Sequence, residues 1–304
     1  MPSSEFANIL HYLGANEKGI FQQSANIGGK FGIIGAMNTL ITGASSGIGE
    51  ALALECAKRG DTLFLCGRDR SRLDDVVHRC RALGAPAYGT VLDVTDREAT
   101  KAWMQASDAI ASIDRVFSNA GVGTGIEDEE NVRRTFDVNI GGALNVVLPA
   151  IALFRSRRLE EPPRPRRSQT RQIVITSSIA GYGPLKSCPA YSATKSCVKT
   201  WGLSLRGMLA HEGIKVCVVC PGFVRSRITD RNTCPMPFFM EADKAARIIL
   251  ARADRNIGLI SFPWPMRLAT WALSTLPFRL NEFINRFLPD KVSKGRGERK
   301  VLSL

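Results

Sequence analysis

From Asn38 onward, short apolar runs alternate with longer runs of helical period, and no other feature constrains the fold as much. Strands are predicted at 39–42, 62–66, 87–92, 115–118, 172–176, 215–219 and 258–261. Helices are predicted at 47–59, 70–83, 97–109, 129–154, 191–211 and 242–252. The strands are near-continuous in Val, Ile and Leu, so both of their faces are expected to be covered. Right-handed crossovers then give an α/β fold, a doubly wound parallel seven-stranded sheet with helices on both faces. A chain of 304 residues holds one such domain, expected at 37–261.

Three segments depart from the alternation. Residues 1–36 are Gly- and Asn-rich with weak periodicity, and Met37 stands one residue before the first strand. The expectation is that Met37 is the natural start and 1–36 is dispensable; the alternative is a docking or targeting arm. Residues 155–171 carry seven Arg, two Glu and three Pro and read as a basic surface loop. Residues 262–304 form an amphipathic, basic C-terminal extension. There, Trp264, Leu268, Trp271 and Thr275 share one helical face, and Leu280, Phe283, Ile284 and Phe287 form a second stripe beyond Pro277. Flanked by Arg267, Arg279 and Arg286, these stripes read either as a packing element or as an interfacial anchor.

Charge and cysteine usage narrow the functional classes. The net charge is +13, and nine of those charges lie in 155–171 and 279–304. Two basic appendages on a balanced body differ from the aromatic-interleaved stripe of a nucleic-acid reader, so no nucleic-acid partner is expected. They suit solvated segments or an anionic membrane surface. No stretch reaches about 18 uninterrupted apolar residues, and no secretory leader is apparent. The expected location is cytoplasmic, with membrane-peripheral attachment as the alternative. Eight cysteines are too sparse for a disulfide scaffold. Cys217 and Cys220, three apart on a strand, should face opposite sides of the sheet. With three scattered histidines, no metal site and no His-based triad is expected.

The turn Thr42-Gly43-Ala44-Ser45-Ser46-Gly47-Ile48-Gly49 follows the first strand and opens the first helix. Glycines let backbone N–H groups approach a pyrophosphate, and a helix N-terminus adds a favourable dipole. With this G-x-x-x-G-x-G spacing, the chain resembles the short-chain dehydrogenase/reductase family from about residue 38 to 250. Further motifs match in order. Asp93-Val94 resembles the adenine-contacting pair. Ser118-Asn119-Ala120-Gly121 resembles the run that steadies the fourth strand, with Ser replacing an Asn. Pro221-Gly222 and Ser226 match the segment beside the nicotinamide, with Ser where Thr is common. The resemblance implies a Rossmann-type fold, a homodimer or homotetramer, and a nicotinamide cofactor held by the glycine turn, Asp93, Val94, Asn119, Ala120, Gly121, Tyr191, Lys195, Pro221, Gly222 and Ser226. The second strand ends in Arg68 rather than a carboxylate. A guanidinium suits a 2′-phosphate, so NADP(H) is expected, with NAD(H) as the alternative.

Asn139, Ser178, Tyr191 and Lys195 fall where the resemblance puts a catalytic tetrad. Tyr191 and Lys195, four apart on a predicted helix, share one face. A phenol with a reference pKa of about 10 is a weak acid near neutrality. An adjacent ammonium, together with an oxidised nicotinamide, favours the phenolate, making Tyr191 a general acid/base. Ser178, at a strand end, can hold the substrate oxygen; strand alternation should turn Ser177 away. By resemblance, Asn139 bends its helix and holds a water near Lys195. The expected reaction is hydride transfer between the nicotinamide and a carbonyl or secondary alcohol. The alternative is a non-catalytic dinucleotide-sensing or membrane-peripheral binding protein on the same fold. The segment 222–241, with Pro235, Met236, Pro237, Phe238, Phe239 and Met240, reads as a lid over an apolar or lipid-like substrate.

Overall fold

The computed structural model describes residues 36–123, 127–160, 171–230 and 235–287. Nearly all of the expected N-terminal extension, residues 161–170 of the basic loop, 231–234 of the lid segment and the tail from 288 lie outside the described residues.

Seven parallel strands form one sheet: β1 (Asn38–Thr42), β2 (Thr62–Gly67), β3 (Ala87–Val91), β4 (Arg115–Ser118), β5 (Gln172–Thr176), β6 (Lys215–Pro221) and β7 (Leu259–Phe262). Their order is β3-β2-β1-β4-β5-β6-β7. The helices are α1 (Gly47–Lys58), α2 (Arg70–Ala82), α3 (Arg97–Ile110), α4 (Glu129–Phe136), α5 (Gly142–Glu160), α6 (Pro189–Leu209), α7 (Ala242–Asp254), α8 (Trp264–Thr275) and α9 (Phe278–Phe287). This is the expected doubly wound arrangement. One face of the sheet packs Leu52, Leu73, Val76 and Ile249 from α1, α2 and α7. The other packs Trp103, Val147, Phe154 and Leu205 from α3, α5 and α6. Each such buried side chain contributes about 1.5–3 kcal/mol of transfer free energy. Cys217 belongs to the first layer and Cys220 to the opposite one, as strand alternation requires.

Because every strand is parallel, all carboxyl ends open on one edge. The chain leaves β1 toward β2 on one side and reaches β4 on the other. The crevice at that reversal is where a doubly wound sheet binds ligands.

The expected single helix over 129–154 is interrupted. Asp137–Gly141 forms a π turn between α4 and α5. Its physical reason is tertiary: the Asn139 amide is held by the backbone of Val122, and Gly142 comes so near Val94 that a Cβ would lie 2.6 Å from Val94 Cγ2. The run Glu129–Arg157 contains an 18-residue window apolar enough to cross a membrane, with 44% of that window buried inside the fold. Its hydrophobicity is accounted for by Val146, Val147, Ala150 and Phe154 in the core.

The two C-terminal stripes become α8 and α9. Asn281 anchors α9 by donating its amide to the Leu273 carbonyl (2.6 Å).

Candidate active site

The glycine turn is shaped by two backbone positions. Gly43 and Gly47 have φ of +67° and +60°, a left-handed conformation that other residues rarely adopt. Gly49 faces the turn so closely that a Cβ would lie 2.2 Å from the Gly43 carbonyl oxygen. Ser46 stands at the N-cap of α1 without making a side-chain cap hydrogen bond. The first N–H groups of α1 therefore receive no acceptor from the cap side chain. Thr42 ties this turn to the next strand. Its hydroxyl accepts the amides of Asn119 (3.0 Å) and Ala120 (3.1 Å), and Asn119 returns its side-chain amide to the Thr42 carbonyl (3.1 Å).

The crevice encloses about 500 Å³. Its walls include Gly43, Ser45, Ser46 and Ile48 from the turn, then Arg68, Asp93, Val94, Asn119, Ala120 and Gly121. At its far end lie Ser178, Tyr191, Lys195, Pro221, Gly222 and Ser226. Gly47 and Gly49 support the turn, and Gly47 approaches Ser226 within 2.8 Å of a would-be Cβ. Asn139 stands behind Gly121: its Oδ1 would be 3.1 Å from a Cβ there, and the Lys195 Nζ 3.2 Å. Every residue expected at the site thus gathers at this crevice.

At the strand edge, Arg68 is about half exposed and only 3.5 Å from an oxygen of Asp93. Burial works to raise the Asp93 carboxyl's pKa. The Thr95 amide and hydroxyl, helped by Arg68, outweigh it and hold Asp93 below its usual range. The neighbouring carboxylate, Asp69, caps α2 by accepting the Arg72 amide (3.1 Å) and pairs with the Arg72 guanidinium (2.7 Å). The Arg72 Nε is buried without a hydrogen-bond partner.

At the far end, Ser177 and Ser178 diverge as alternation demands. Ser177 donates to the Lys195 carbonyl (2.6 Å), whereas the Ser178 hydroxyl stays at the crevice, accepting the Ala180 amide (3.1 Å). The Lys195 ammonium donates to the Thr176 carbonyl (3.0 Å) and lies 5.7 Å from the centre of the Tyr191 ring. Burial pulls the Lys195 amine down to about 8. Burial also pushes the Tyr191 phenol up to about 12, against a hydrogen bond with Ser178 that lowers it. The chain's own groups therefore leave Tyr191 protonated at neutral pH. The lowering expected from the ammonium together with an oxidised nicotinamide does not arise from the chain's own groups alone, where burial dominates.

Asn139 accepts the Val122 amide (2.8 Å) and donates to the Val122 carbonyl (3.0 Å) and the Thr194 hydroxyl (3.0 Å). Its side chain thus holds backbone. Sequence reasoning missed several participants. Arg72, in the first turn of α2, lies close in sequence after Arg68, a clustering that could have flagged it. Thr229, whose hydroxyl accepts the Ser226 amide (2.8 Å), and Glu127, which accepts the Ala190 amide at the start of α6 (3.1 Å), have no local signal.

The family model described as short chain dehydrogenase matches residues 37–234. An oxidoreductase of Myxococcus xanthus is 37% identical over 246 residues, 78% of this chain and 92% of that one. Among solved structures, a short-chain dehydrogenase/reductase from Burkholderia phymatum in complex with NAD superposes with a TM-score of 0.69 at 25% identity, covering 79% of this chain and 93% of that one. One from Sphingobium yanoikuyae in complex with NADPH superposes with a TM-score of 0.66 at 26% identity, covering 83% and 96%. With its sheet order, its glycine turn and these relatives in agreement, the chain belongs to the short-chain dehydrogenase family of oxidoreductases.

Proposed function

We propose that the protein is an NADP(H)-dependent carbonyl reductase/alcohol dehydrogenase in which Tyr191 is the general acid/base. The observation that carries this reading is the Tyr191 hydroxyl, hydrogen-bonded to Ser178 at the end of a glycine-floored crevice.

The residues fit a dinucleotide. A Cβ at Gly43 would meet the Ala120 Cα at 2.8 Å, and one at Gly67 would meet the Ser45 Oγ at 2.9 Å. Such a cradle admits backbone N–H groups to a pyrophosphate, beside the helix N-terminus of α1. Arg68 supports the choice of NADP(H): it is half exposed at the crevice edge and only loosely paired. Asp69, committed to Arg72, is poorly disposed to accept a ribose hydroxyl. Arg68 and Arg72 are the residues that would receive a 2′-phosphate.

When bound, the cofactor supplies hydride to a carbonyl carbon or accepts it from an alcohol. Ser178 and Tyr191 orient the substrate oxygen through their hydroxyls. Tyr191, protonated at neutral pH, donates its proton as negative charge develops on that oxygen, and in the reverse direction it accepts one. The Lys195 ammonium stabilises the phenolate that results. Asn139 fixes the Val122 backbone beside this group. By their apolar character, the exposed Phe238 and Phe239 of the segment beyond Gly222 suit an apolar substrate, whereas Met240 packs on the core.

Tyr191→Phe tests the assignment. In a ketone panel assayed by NADPH oxidation, turnover should fall by about 10²–10⁴-fold with the fold intact. Near-normal turnover with a good substrate would contradict it.

A further inference from the structure

The outer face of α8 is the feature that the reaction does not use. Trp264, Leu268 and Trp271 are 74%, 53% and 53% exposed. At about 3.6 residues per turn they form one stripe. The diametrically opposite stripe, Met266, Thr270 and Leu273, is the partly covered one that faces the fold. A wholly soluble surface seldom carries two tryptophans and a leucine side by side.

Charge selects what covers this face. Arg267 stands at the border of the stripe, and it is the only charged residue in α8. The segment 264–304 holds eight basic and three acidic residues, a net of +5. A second copy seated on the same face would set arginine against arginine with no acid in α8 to answer it. An anionic lipid surface answers both features: tryptophans lodge at the headgroup level, and arginines gain from the negative leaflet.

We propose that α8 lies flat on an anionic bilayer, with Trp264, Leu268 and Trp271 inserted at the headgroup–acyl boundary. This docking leaves the crevice close to the lipid. The covered side of α8 packs behind Gly222, a residue of the crevice wall: a Cβ on Gly222 would lie 2.9 Å from Pro263 Cδ and 3.2 Å from Met266 Sδ. The inference stands apart from the catalytic reading, because binding is measured without turnover.

The test is flotation of the full-length chain with phosphatidylcholine vesicles, with and without phosphatidylserine. Co-flotation is expected with phosphatidylserine and strongly reduced without it. Leu268→Ala/Trp271→Ala should lower partitioning on the order of a hundredfold while circular dichroism stays unchanged. Arg267→Gln should lower it about fivefold on phosphatidylserine only. Absence of co-flotation by the folded chain at low ionic strength would overturn the proposal. So would an unchanged double variant, or a sedimentation mass that falls in the double variant while vesicle binding does not.

Discussion

The crevice and the outer face of α8 lie a few residues apart at the carboxyl edge of the sheet, yet they are built on opposite terms. The crevice is closed by backbone: glycines abut one another, and Thr42, Asn119 and Asn139 bind main-chain groups on neighbouring elements. The outer face of α8 contributes no buried residue. The first region admits almost no change in side-chain volume, and the second admits nearly any change. Shape is therefore maintained where atoms must be positioned, and composition is maintained where only a surface must be presented.

Substitutions can break this contrast, and they rank by expected effect. Gly49→Ala should be the most severe, because its methyl would fall 2.2 Å from a carbonyl oxygen. A loss of about 3 kcal/mol in denaturant unfolding is expected, with dinucleotide binding lost by calorimetry. A normal midpoint would mean the turn is looser than its contacts imply.

Lys195 gives an effect of similar size, visible only against pH. Its amine titrates near 8 in the fold, against 10.5 when exposed. Between those values the unfolded chain binds more protons than the folded one, so stability rises with pH. The rise amounts to about 3 kcal/mol, and Lys195→Met should abolish it. Equal slopes for the two proteins between pH 8 and 10 would contradict the buried ammonium. Tyr191 acts in the other direction: its pKa is raised to about 12, so its contribution fades as pH climbs from 10 through 12.

Arg68→Ala should be milder, raising the KM for NADPH by about tenfold through loss of a charge-assisted contact, with the KM for NADH unmoved. Equal effects on both would remove the phosphate assignment. Leu268→Ala should be the mildest, shifting stability by no more than about 0.5 kcal/mol. A larger loss would show that α8 is more deeply packed than its exposure indicates.

Much of the fold was legible in the sequence because a strand covered on both faces must be apolar throughout. The runs 115–118 and 172–176 match β4 and β5 to the residue. The crevice was legible where chemistry demands a residue type at a fixed spacing, as with Gly43 and Gly47, or Tyr191 and Lys195. What could not be read depends on neighbours distant in sequence. The periodicity of 129–154 is that of one continuous helix, so only the resemblance pointed to a bend at Asn139; Val122, which holds Asn139, lies outside that window. The commitment of Asp69 to Arg72 emerges only once α2 begins at Arg70. The protonation of Tyr191 follows from burial, which no spacing reports.

The π turn has one further effect. It accommodates one residue more than an α turn of the same height, and so sets the phase of everything that follows it. Deleting a single position within Asp137–Gly141 would allow an unbroken α-helix and would rotate α5 by about 100°. Leu148, now outward, would then fall where Val147 is buried, and Arg155 would fall where Phe154 is. One surplus amino acid thus keeps two turns of downstream lipophilic side chains in frame with the sheet.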